Sequence, residues 1–304
     1  MKLDPIQLAA LSAIVRLGSF DAAAGALHVT PSAVSQRLKA LEERVGATLV
    51  RRSQPCVPTK LGARLAKYAE DIDLLEAQVL QEIDRVAVAP ARLSLAVPAD
   101  SLATWLIPAF ARTPELLFDL RIDDQDTADD WLKRGAVSAA VTGHPRAVPG
   151  CDLHPIGALR YIATASPAFR VQYFPDGITA AALARAPMLT FTPKDRLQHR
   201  WIREQTGQTL HPPCHQMPST HAFVDAALAG LAWGMNPESL VATHLESGQL
   251  VALDPASPLD VPLYWQVTRV MAPALAPLTQ AVLSAARDFL VPLGGAPHGP
   301  NKTK

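Results

Sequence analysis

Apolar and polar residues fall on opposite faces of a predicted α-helix in residues 29–45, VTPSAVSQRLKALEERV. One stripe holds the apolar side chains Val34, Leu38, Leu41 and Val45. The opposite side carries short hydrogen-bonding groups and one cation, namely Ser32, Ser35, Gln36 and Lys39. Thr30 suits an N-cap and Pro31 a first helical position. The pattern predicts a helix whose polar face fits base edges and phosphates in a DNA major groove, with a solvated surface helix as the alternative.

The neighbouring patterns predict that this helix is the third of a set. Residues 6–15 repeat apolar positions at helical spacing, and residues 19–27, SFDAAAGAL, favour a second short helix. Three short helices joined by tight turns are typical of a helix-turn-helix, with the third as the reading helix. Residues 48–57 predict a two-stranded wing that places Arg51 and Arg52 at its rim. We therefore expect a winged helix-turn-helix over residues 1–58.

The charge distribution supports a polyanionic partner for this module. Between residues 30 and 67 there are eight Lys and Arg residues against two acids, Glu42 and Glu43, although the whole chain has a formal net charge of zero. A local basic excess of this kind is the electrostatic footprint expected of a module that binds double-stranded DNA.

Residues 59–86 predict a long linker helix. Its apolar positions recur at alternating steps of four and three residues: Leu61, Leu65, Tyr68, Ile72, Leu75, Val79 and Ile83. Such a seam favours dimerisation with a second copy, and packing on its own domain is the alternative. A dimer would place two reading helices on one face of DNA, so we expect a pseudo-palindromic operator. Residues 87–92, AVAPAR, are expected to form a hinge.

From residue 93 onward short apolar strands alternate with amphipathic helices, which predicts an α/β domain over residues 93–292. Repeated βα units predict mainly parallel sheets with helices on both faces. The length favours two subdomains with a cleft, the first over about residues 93–163 and 268–292 and the second over about 164–267. The Gly- and Pro-rich end, residues 293–304, is expected to be disordered.

Composition and motifs exclude several classes of protein. No apolar run approaches the ~18 residues of a membrane helix, and the N-terminus, with Asp4, does not resemble a signal peptide, so a cytoplasmic protein is expected. The odd number of widely spaced cysteines argues against a disulfide framework. The segment with His211, Cys214 and His215 matches no common zinc spacing, so we expect neither a metal nor another cofactor. No hydrolase, metalloprotease or phosphate-loop motif is present, which disfavours an enzyme.

Two helix starts in the second module predict a binding site for a small molecule. Asp100 and Ser101 follow one predicted strand, and Ser219 and Thr220 open another helix, where free N–H groups favour an anion such as an α-carboxylate. Capping alone also explains these hydroxyl groups. Acids cluster after the strand LLFDLRI, at Asp123, Asp124 and Asp126. Carboxylates beside an anion-binding helix start suit a cationic amino acid, with a solvated acidic loop as the alternative.

The run FDAAAGALHVTPSAVSQRLKALEERVGATLVRRSQPCVPTKLG resembles the N-terminal module of the LysR-type transcriptional regulators. The resemblance implies that Pro31, Ser32, Ser35 and Gln36 face the major groove. It further implies that Arg37 and Lys39 lie near phosphates and that Arg52, Pro58 and Thr59 form wing contacts. The expected fold is therefore a winged helix-turn-helix, a linker helix and a periplasmic-binding-protein-like effector domain of two α/β subdomains.

The segments LSLAVPADSLATWLIPAF, IDDQDTADDWLKRG and LDVPLYWQ resemble the lysine- and arginine-responsive ArgP/LysG branch of that family. This implies a regulator of genes for basic amino-acid export or metabolism that acts as a homodimer or homotetramer, with RNA polymerase as a further expected partner. The effector residues implied by the resemblance are Ser101, Asp124, Thr142, Phe191, Ser219 and Thr220.

His221 departs from the pattern of that branch, which has an acid at this position. A histidine, neutral or positive near pH 7, cannot replace a carboxylate as the partner of an ammonium group. Either Asp124 and its neighbours suffice, or the effector differs from lysine and arginine. An amino-acid-binding protein without DNA function, or an enzyme in the α/β module, are the remaining alternatives.

Overall fold

The computed structural model describes residues 2–83, 90–123 and 128–293. Its N-terminal module contains three helices and a hairpin: α1 (Pro5–Leu17), α2 (Phe20–Ala26), α3 (Pro31–Val45), β1 (Val50–Arg51) and β2 (Val57–Pro58). The strands pair antiparallel, with Val50 opposite Pro58. The predicted winged helix-turn-helix is therefore confirmed.

Helix α3 begins and ends as its sequence predicts. The Thr30 hydroxyl accepts a hydrogen bond from the Ala33 N–H (3.2 Å), and Pro31 occupies the first helical position. Gly46 ends the helix with a left-handed backbone, φ 73°, which glycine adopts without steric cost. Val34, Leu38 and Leu41 are buried in the module's core and seat the helix.

The wing is attached to α3 by a carboxylate. Glu42 Oε1 accepts hydrogen bonds from the backbone N–H groups of Leu49 (2.7 Å) and Val50 (3.4 Å) at the start of the hairpin. After the hairpin the Thr59 hydroxyl donates to the Thr48 carbonyl (3.0 Å) and accepts from the Gly62 N–H (3.1 Å). Thr59 thereby joins the wing to the start of the next helix.

Helix α4 (Lys60–Glu82) packs against both modules. Its first half contributes Leu65, Ala66, Ala69 and Ile72 to the N-terminal core. Its second half contributes Leu74, Leu75 and Ala77 to the core of the C-terminal module. Of the heptad positions, Leu61, Tyr68, Val79 and Ile83 remain exposed. One face of α4 thus packs on its own chain, while much of the predicted seam stays uncovered.

The described part of the C-terminal module contains nine strands: β3 (Ala91–Val97), β4 (Leu116–Ile122), β5 (Ala139–Thr142), β6 (Cys151–Ala165), β7 (Met188–Thr190), β8 (Cys214–Gln216), β9 (Gly234–Pro237), β10 (Val251–Ala252) and β11 (Leu259–Thr268). Within the described ranges, the main sheet has the order β10-β6-β11-β5-β3-β4, and β9 also pairs with β6. A second, small sheet pairs β7 with β8.

The prediction of mainly parallel sheets is wrong. Strands β4 and β5 run parallel to β3, and β7 runs parallel to β8. Strand β11, however, lies antiparallel between β5 and β6, and β6 also pairs antiparallel with β9 and β10. The alternation of strands and helices correctly predicts an α/β module. It does not indicate where β11, the last strand in the sequence, joins the sheet or in which direction it runs.

Helices flank these strands: α5 (Ala99–Ser101), α6 (Ile107–Phe110), α7 (Asp129–Lys133), α8 (Pro167–Tyr173), α9 (Ala180–Arg185), α10 (Leu197–Thr206), α11 (Thr220–Leu228), α12 (Glu238–Glu246) and α13 (Ala276–Phe289). A π-helical segment, Leu102–Leu106, connects α5 to α6. No helix in the described part of the chain has both the length and the apolarity needed to cross a bilayer.

Strand β3 starts at Ala91, so Ala91 and Arg92, expected in the hinge, belong to the sheet. The rest of that expectation at residues 87–89, and the expected disordered tail from residue 294 onward, lie outside the described residues. The boundaries of the two subdomains stay a prediction.

Candidate functional sites

The face of α3 that points away from the core presents the predicted polar set. Pro31, Ser32, Gln36 and Lys39 are exposed, and Ser35 and Arg37 are half-buried at the edge of that face. Lys39 forms an exposed ion pair with Glu43 one turn later (3.7 Å), which competes little with a phosphate because both groups are solvated. The helix therefore offers donors, acceptors and a cation on one continuous surface.

The wing places two arginines beside this surface. Arg51 and Arg52 are exposed, and the Arg52 guanidinium lies 4.9 Å from the centre of the Phe20 ring. Pro58 and Thr59 are half-buried, and the Thr59 hydroxyl is engaged within the chain. The wing arginines are thus free to reach a ligand, whereas Thr59 already has a structural role.

The C-terminal module contains a cavity that is partly open to solvent. Its walls come from six separate parts of the chain: the turn from β3 into α5, the end of β4, the middle of β6, the segment that begins α10, the segment that begins α11, and strand β9. The lining residues are Pro98, Ala99, Asp100, Asp123, Tyr161, Phe191, Asp195, Leu197, Gln198, Thr220, Phe223, Met235, Asn236 and Pro237.

Asp100 is held by two hydroxyl groups on the cavity wall. Tyr161 OH donates to its Oδ2 (2.7 Å), and Thr220 Oγ1 donates to its Oδ1 (2.5 Å). Burial raises the pKa of Asp100 because it disfavours the charged form, and the negative charge of Asp195 acts in the same direction, while the two hydrogen bonds oppose the rise. A cation that entered the cavity would favour the ionised carboxylate.

Two further carboxylates face the same space. Asp123 accepts a hydrogen bond from Trp131 Nε1 (2.8 Å). Asp195 accepts from the backbone N–H groups of Phe191 and Leu197 (both 2.9 Å) and so shapes the turn into α10. Among the described lining residues there is no Lys, Arg or His. The cavity therefore combines three acids with no cationic side chain.

The predicted effector residues divide into two groups. Asp100, Phe191 and Thr220 line the cavity, whereas Ser101, Thr142, Ser219 and His221 are not among its lining residues. Asp124 and Asp126 lie outside the described residues.

The residues outside the lining lie in other surroundings. Ser101 is fully buried and its Oγ has no hydrogen-bond partner among the described residues, whereas Thr142 accepts from Gln266 Nε2 (2.9 Å) in the sheet. Ser219 caps α11 by accepting from the Ala222 N–H (3.3 Å), and His221 is exposed on that helix. The departure at His221 therefore leaves the lining of this cavity unchanged.

Sequence reasoning missed the lining residues Tyr161, Asp195, Gln198 and Asn236. Asn236 carried a usable signal, because it is a polar residue directly after the apolar run LAWGM and is fully buried. Tyr161 lies within a long apolar strand and gave no such signal. Asp195 and Gln198 gave none either, because only the tertiary fold brings the start of α10 to this wall.

Where the chain is described, no group of three or more His, Cys, Asp or Glu side chains is arranged to hold a metal ion. Cys56, Cys151 and Cys214 are free thiols.

A buried polar network joins α4 to the sheet. Lys67 Nζ donates to Asp71 Oδ1 (2.5 Å) and to Ser138 Oγ (2.6 Å), and Ser138 Oγ donates to Asp71 Oδ1 (2.9 Å). Ser94 Oγ of β3 donates to Glu70 Oε2 (2.9 Å). We call these five residues the Lys67 network. It links the linker helix to β3 and to the start of β5, next to the cavity-bearing part of the molecule.

Two family models match this chain. One, described as the LysR substrate binding domain, matches residues 74–287. The other, described as a bacterial regulatory helix-turn-helix protein of the lysR family, matches residues 6–63. Together they cover the C-terminal and N-terminal modules.

Individual relatives are similar over nearly the full length. The crystal structure of ArgP from Mycobacterium tuberculosis has a TM-score of 0.78 and 44% identity, covering 96% of this chain and 100% of that one. Full-length LysG from Corynebacterium glutamicum with bound effector Arg has a TM-score of 0.65 and 38% identity, covering 95% and 100%. The lysine export transcriptional regulatory protein LysG of C. glutamicum is 39% identical over 295 residues, which are 95% of this chain and all of that protein.

Proposed function

This chain belongs to the LysR family of bacterial transcriptional regulators, and on that premise we propose that it controls genes for basic amino-acid export or metabolism in response to L-arginine or L-lysine. It is a DNA-binding regulator and not an enzyme. The proposal for the effector is supported by the relative whose structure holds Arg and by the relative named for lysine export.

The observation that carries the proposal is the charge of the cavity. Asp100, Asp123 and Asp195 line it without a cationic side chain among its described lining residues. Carboxylates that line one cavity, one of them with a raised pKa, are stabilised by a ligand of positive charge. A neutral or acidic effector would leave these acids without compensation.

The start of α11 suits the other end of an amino acid. Thr220, the first residue of this nine-residue helix, lines the cavity. The first N–H groups of a helix have no partner within it and favour an anion, so we place the effector's α-carboxylate there. Ser101, Asp124, Thr142, Ser219 and His221 remain candidate effector contacts under this proposal, for a form of the domain closed on its ligand.

For the DNA end, we propose that the polar face of α3 reads the major groove. Pro31, Ser32, Ser35 and Gln36 would contact base edges, and Arg37 and Lys39 phosphates. The wing residues Arg51, Arg52, Pro58 and Thr59 would contact the backbone beside them.

The exposed apolar positions of α4 suit pairing with a second copy, which would put two reading helices on a pseudo-palindromic operator. In this proposal the regulator is a homodimer, or a homotetramer of two such pairs. It acts in the cytoplasm and contacts RNA polymerase. Effector binding would shift the population of domain arrangements and move α4 through the Lys67 network.

Isothermal titration calorimetry on the full-length protein tests the effector. We expect heat on titration with L-arginine or L-lysine, and none with L-citrulline, which has nearly the shape of arginine without its charge. Operator DNA with the same ligands then tests whether binding changes DNA affinity. Absence of heat with both basic amino acids would exclude this effector class and point to a regulator with a different small-molecule ligand.

A further inference from the structure

Two amide oxygens in the cavity wall lack hydrogen-bond partners. Gln198 is 1% exposed and Asn236 is 0% exposed, and both line the cavity. Gln198 Oε1 and Asn236 Oδ1 are buried without a hydrogen-bond partner among the described residues. A buried acceptor without a donor is costly, so both oxygens call for a partner that the described residues do not supply.

Because Gln198 and Asn236 line the cavity, a ligand that enters it can supply the missing hydrogen-bond donors. Asn236 is oriented by its other end, because its Nδ2 donates to Thr164 Oγ1 (2.9 Å) within the paired strands β6 and β9. Gln198 lies in the first turn of α10, directly after the turn that Asp195 holds. The two acceptors thus sit on rigid elements beside the acids already described.

The acceptors in the cavity outnumber the donors of a simple ammonium group. An ammonium has three N–H donors around a point charge, whereas a guanidinium presents five donors in one plane, matched to carboxylate and amide oxygens. Three carboxylates and two buried amide oxygens offer more acceptors than one ammonium group can satisfy, and the five donors of a guanidinium can satisfy more of them.

We propose that Gln198 and Asn236 are specificity-determining residues that accept hydrogen bonds from a guanidinium, so that this regulator prefers L-arginine to L-lysine. The inference rests on the proposed function and deepens it by selecting between the two basic amino acids. A lysine effector would neutralise the negative charge of the cavity but leave at least one of the amide oxygens without a hydrogen-bond donor. Specificity then follows from the cost of that unpaired acceptor.

Calorimetry with three proteins tests this assignment: the wild type, Gln198→Met and Gln208→Met. Methionine keeps the length of glutamine and removes its carbonyl oxygen, and Gln208 is an exposed residue just after α10 that controls for the substitution itself. We expect wild type and Gln208→Met to bind L-arginine at least about tenfold more tightly than L-lysine. Gln198→Met should lose about tenfold in arginine affinity and less than about threefold in lysine affinity.

Three results are decisive against the inference. Equal affinity of the wild type for both amino acids, or an equal loss of both in Gln198→Met, would show that the amide does not distinguish them. Unchanged arginine binding in Gln198→Met would mean that a buried water satisfies the oxygen. Heat with neither amino acid in the wild type would instead overturn the proposed function. A second variant, Gln198→Glu, restores an acceptor and should recover arginine binding, which a merely misfolded Gln198→Met could not explain.

Discussion

The reading face of α3 and the effector cavity are built in opposite ways. The face takes its polar residues from one helix, and a single stripe of three buried side chains, Val34, Leu38 and Leu41, holds all of them in place. The cavity takes its residues from six distant parts of the chain, and Asp100 depends on hydroxyl groups 61 and 120 residues away. We therefore expect substitutions on the reading face to have independent effects on binding, and substitutions in the cavity to affect one another.

This difference predicts where substitutions have local effects and where they spread. A side chain on the reading face can be removed without leaving a buried partner behind, because its neighbours are solvated. A side chain on the cavity wall leaves an uncompensated acid or amide when it is removed. The variants below separate these two behaviours, in order of decreasing effect.

The largest effect is expected at the Lys67 network, which joins α4 to the sheet of the C-terminal module. Replacing Lys67, 8% exposed, with Met leaves Asp71 and Glu70 without their cation, and we expect a loss of about 3 kcal/mol in the free energy of unfolding. Asp71 is 30% exposed, which keeps the loss at the lower end for a buried pair. Urea denaturation measures it. Lys133→Met, at an exposed ion pair, is the control and should leave stability nearly unchanged; comparable losses in both variants would contradict a special role for the Lys67 network.

Gly62 tests how tightly α4 is joined to the reading module. A Cβ at this position would lie 1.9 Å from the Leu49 carbonyl oxygen, so Gly62→Ala must displace the wing or the helix and should cost about 2–3 kcal/mol. Gly25→Ala is the matched control: its Cβ meets nothing within 4 Å, and alanine should stabilise α2 by about 0.5–1 kcal/mol. Thermal unfolding distinguishes them. Equal melting temperatures would mean that the wing is free to move away from α4.

Gln36 tests whether contacts on the reading face act independently. Gln36→Ala should weaken binding to the specific operator by about 1–3 kcal/mol and leave binding to unrelated DNA unchanged, as expected for a lost base contact. Lys39→Ala should instead weaken binding to every sequence and reduce the dependence on salt by about one phosphate. Fluorescence anisotropy at several salt concentrations measures both. If the two variants behave alike, the assignment of base and phosphate contacts on α3 is wrong.

The smallest effect concerns protons in the cavity. Because burial raises the pKa of Asp100 in the free protein and a cationic effector favours its ionised form, binding must release a proton when the pH lies below that raised pKa. Arginine affinity should therefore fall as the pH is lowered through that raised pKa. Calorimetry across this range measures the slope. In Asp100→Asn the binding should be weaker and its slope flatter; an equally steep slope would assign the proton to another group.

The two regions also differ in how much of them the sequence predicts. Thr30, Pro31 and the apolar stripe act within one helix, so local spacing is enough to place α3 and its polar face. Asp100 and Thr220 were found because one follows a strand and the other opens a helix, whereas Phe191 came only from the resemblance to the ArgP/LysG branch. Gln198 and Asn236 were missed, since only the tertiary fold brings α10 to β9. For the same reason the direction of β11 could not be read from periodicity, and the sheet is mixed instead of mainly parallel.

Helix α4 sets a constraint on any chimaera that exchanges the reading module. With 23 residues it is about 34 Å long, and its apolar side chains change from one core to the other between Ile72 and Leu74. A graft made at the wing, near residue 59, would pair a foreign reading module with an α4 whose first half was shaped for another partner. A graft made at the exposed Asp73 carries each half of the helix with the apolar core that it completes, provided that the incoming half keeps Lys67, Glu70 and Asp71, which bond to Ser94 and Ser138 of the C-terminal module. The fusion point for engineering a new DNA specificity therefore lies inside a continuous helix and not in the loop before it.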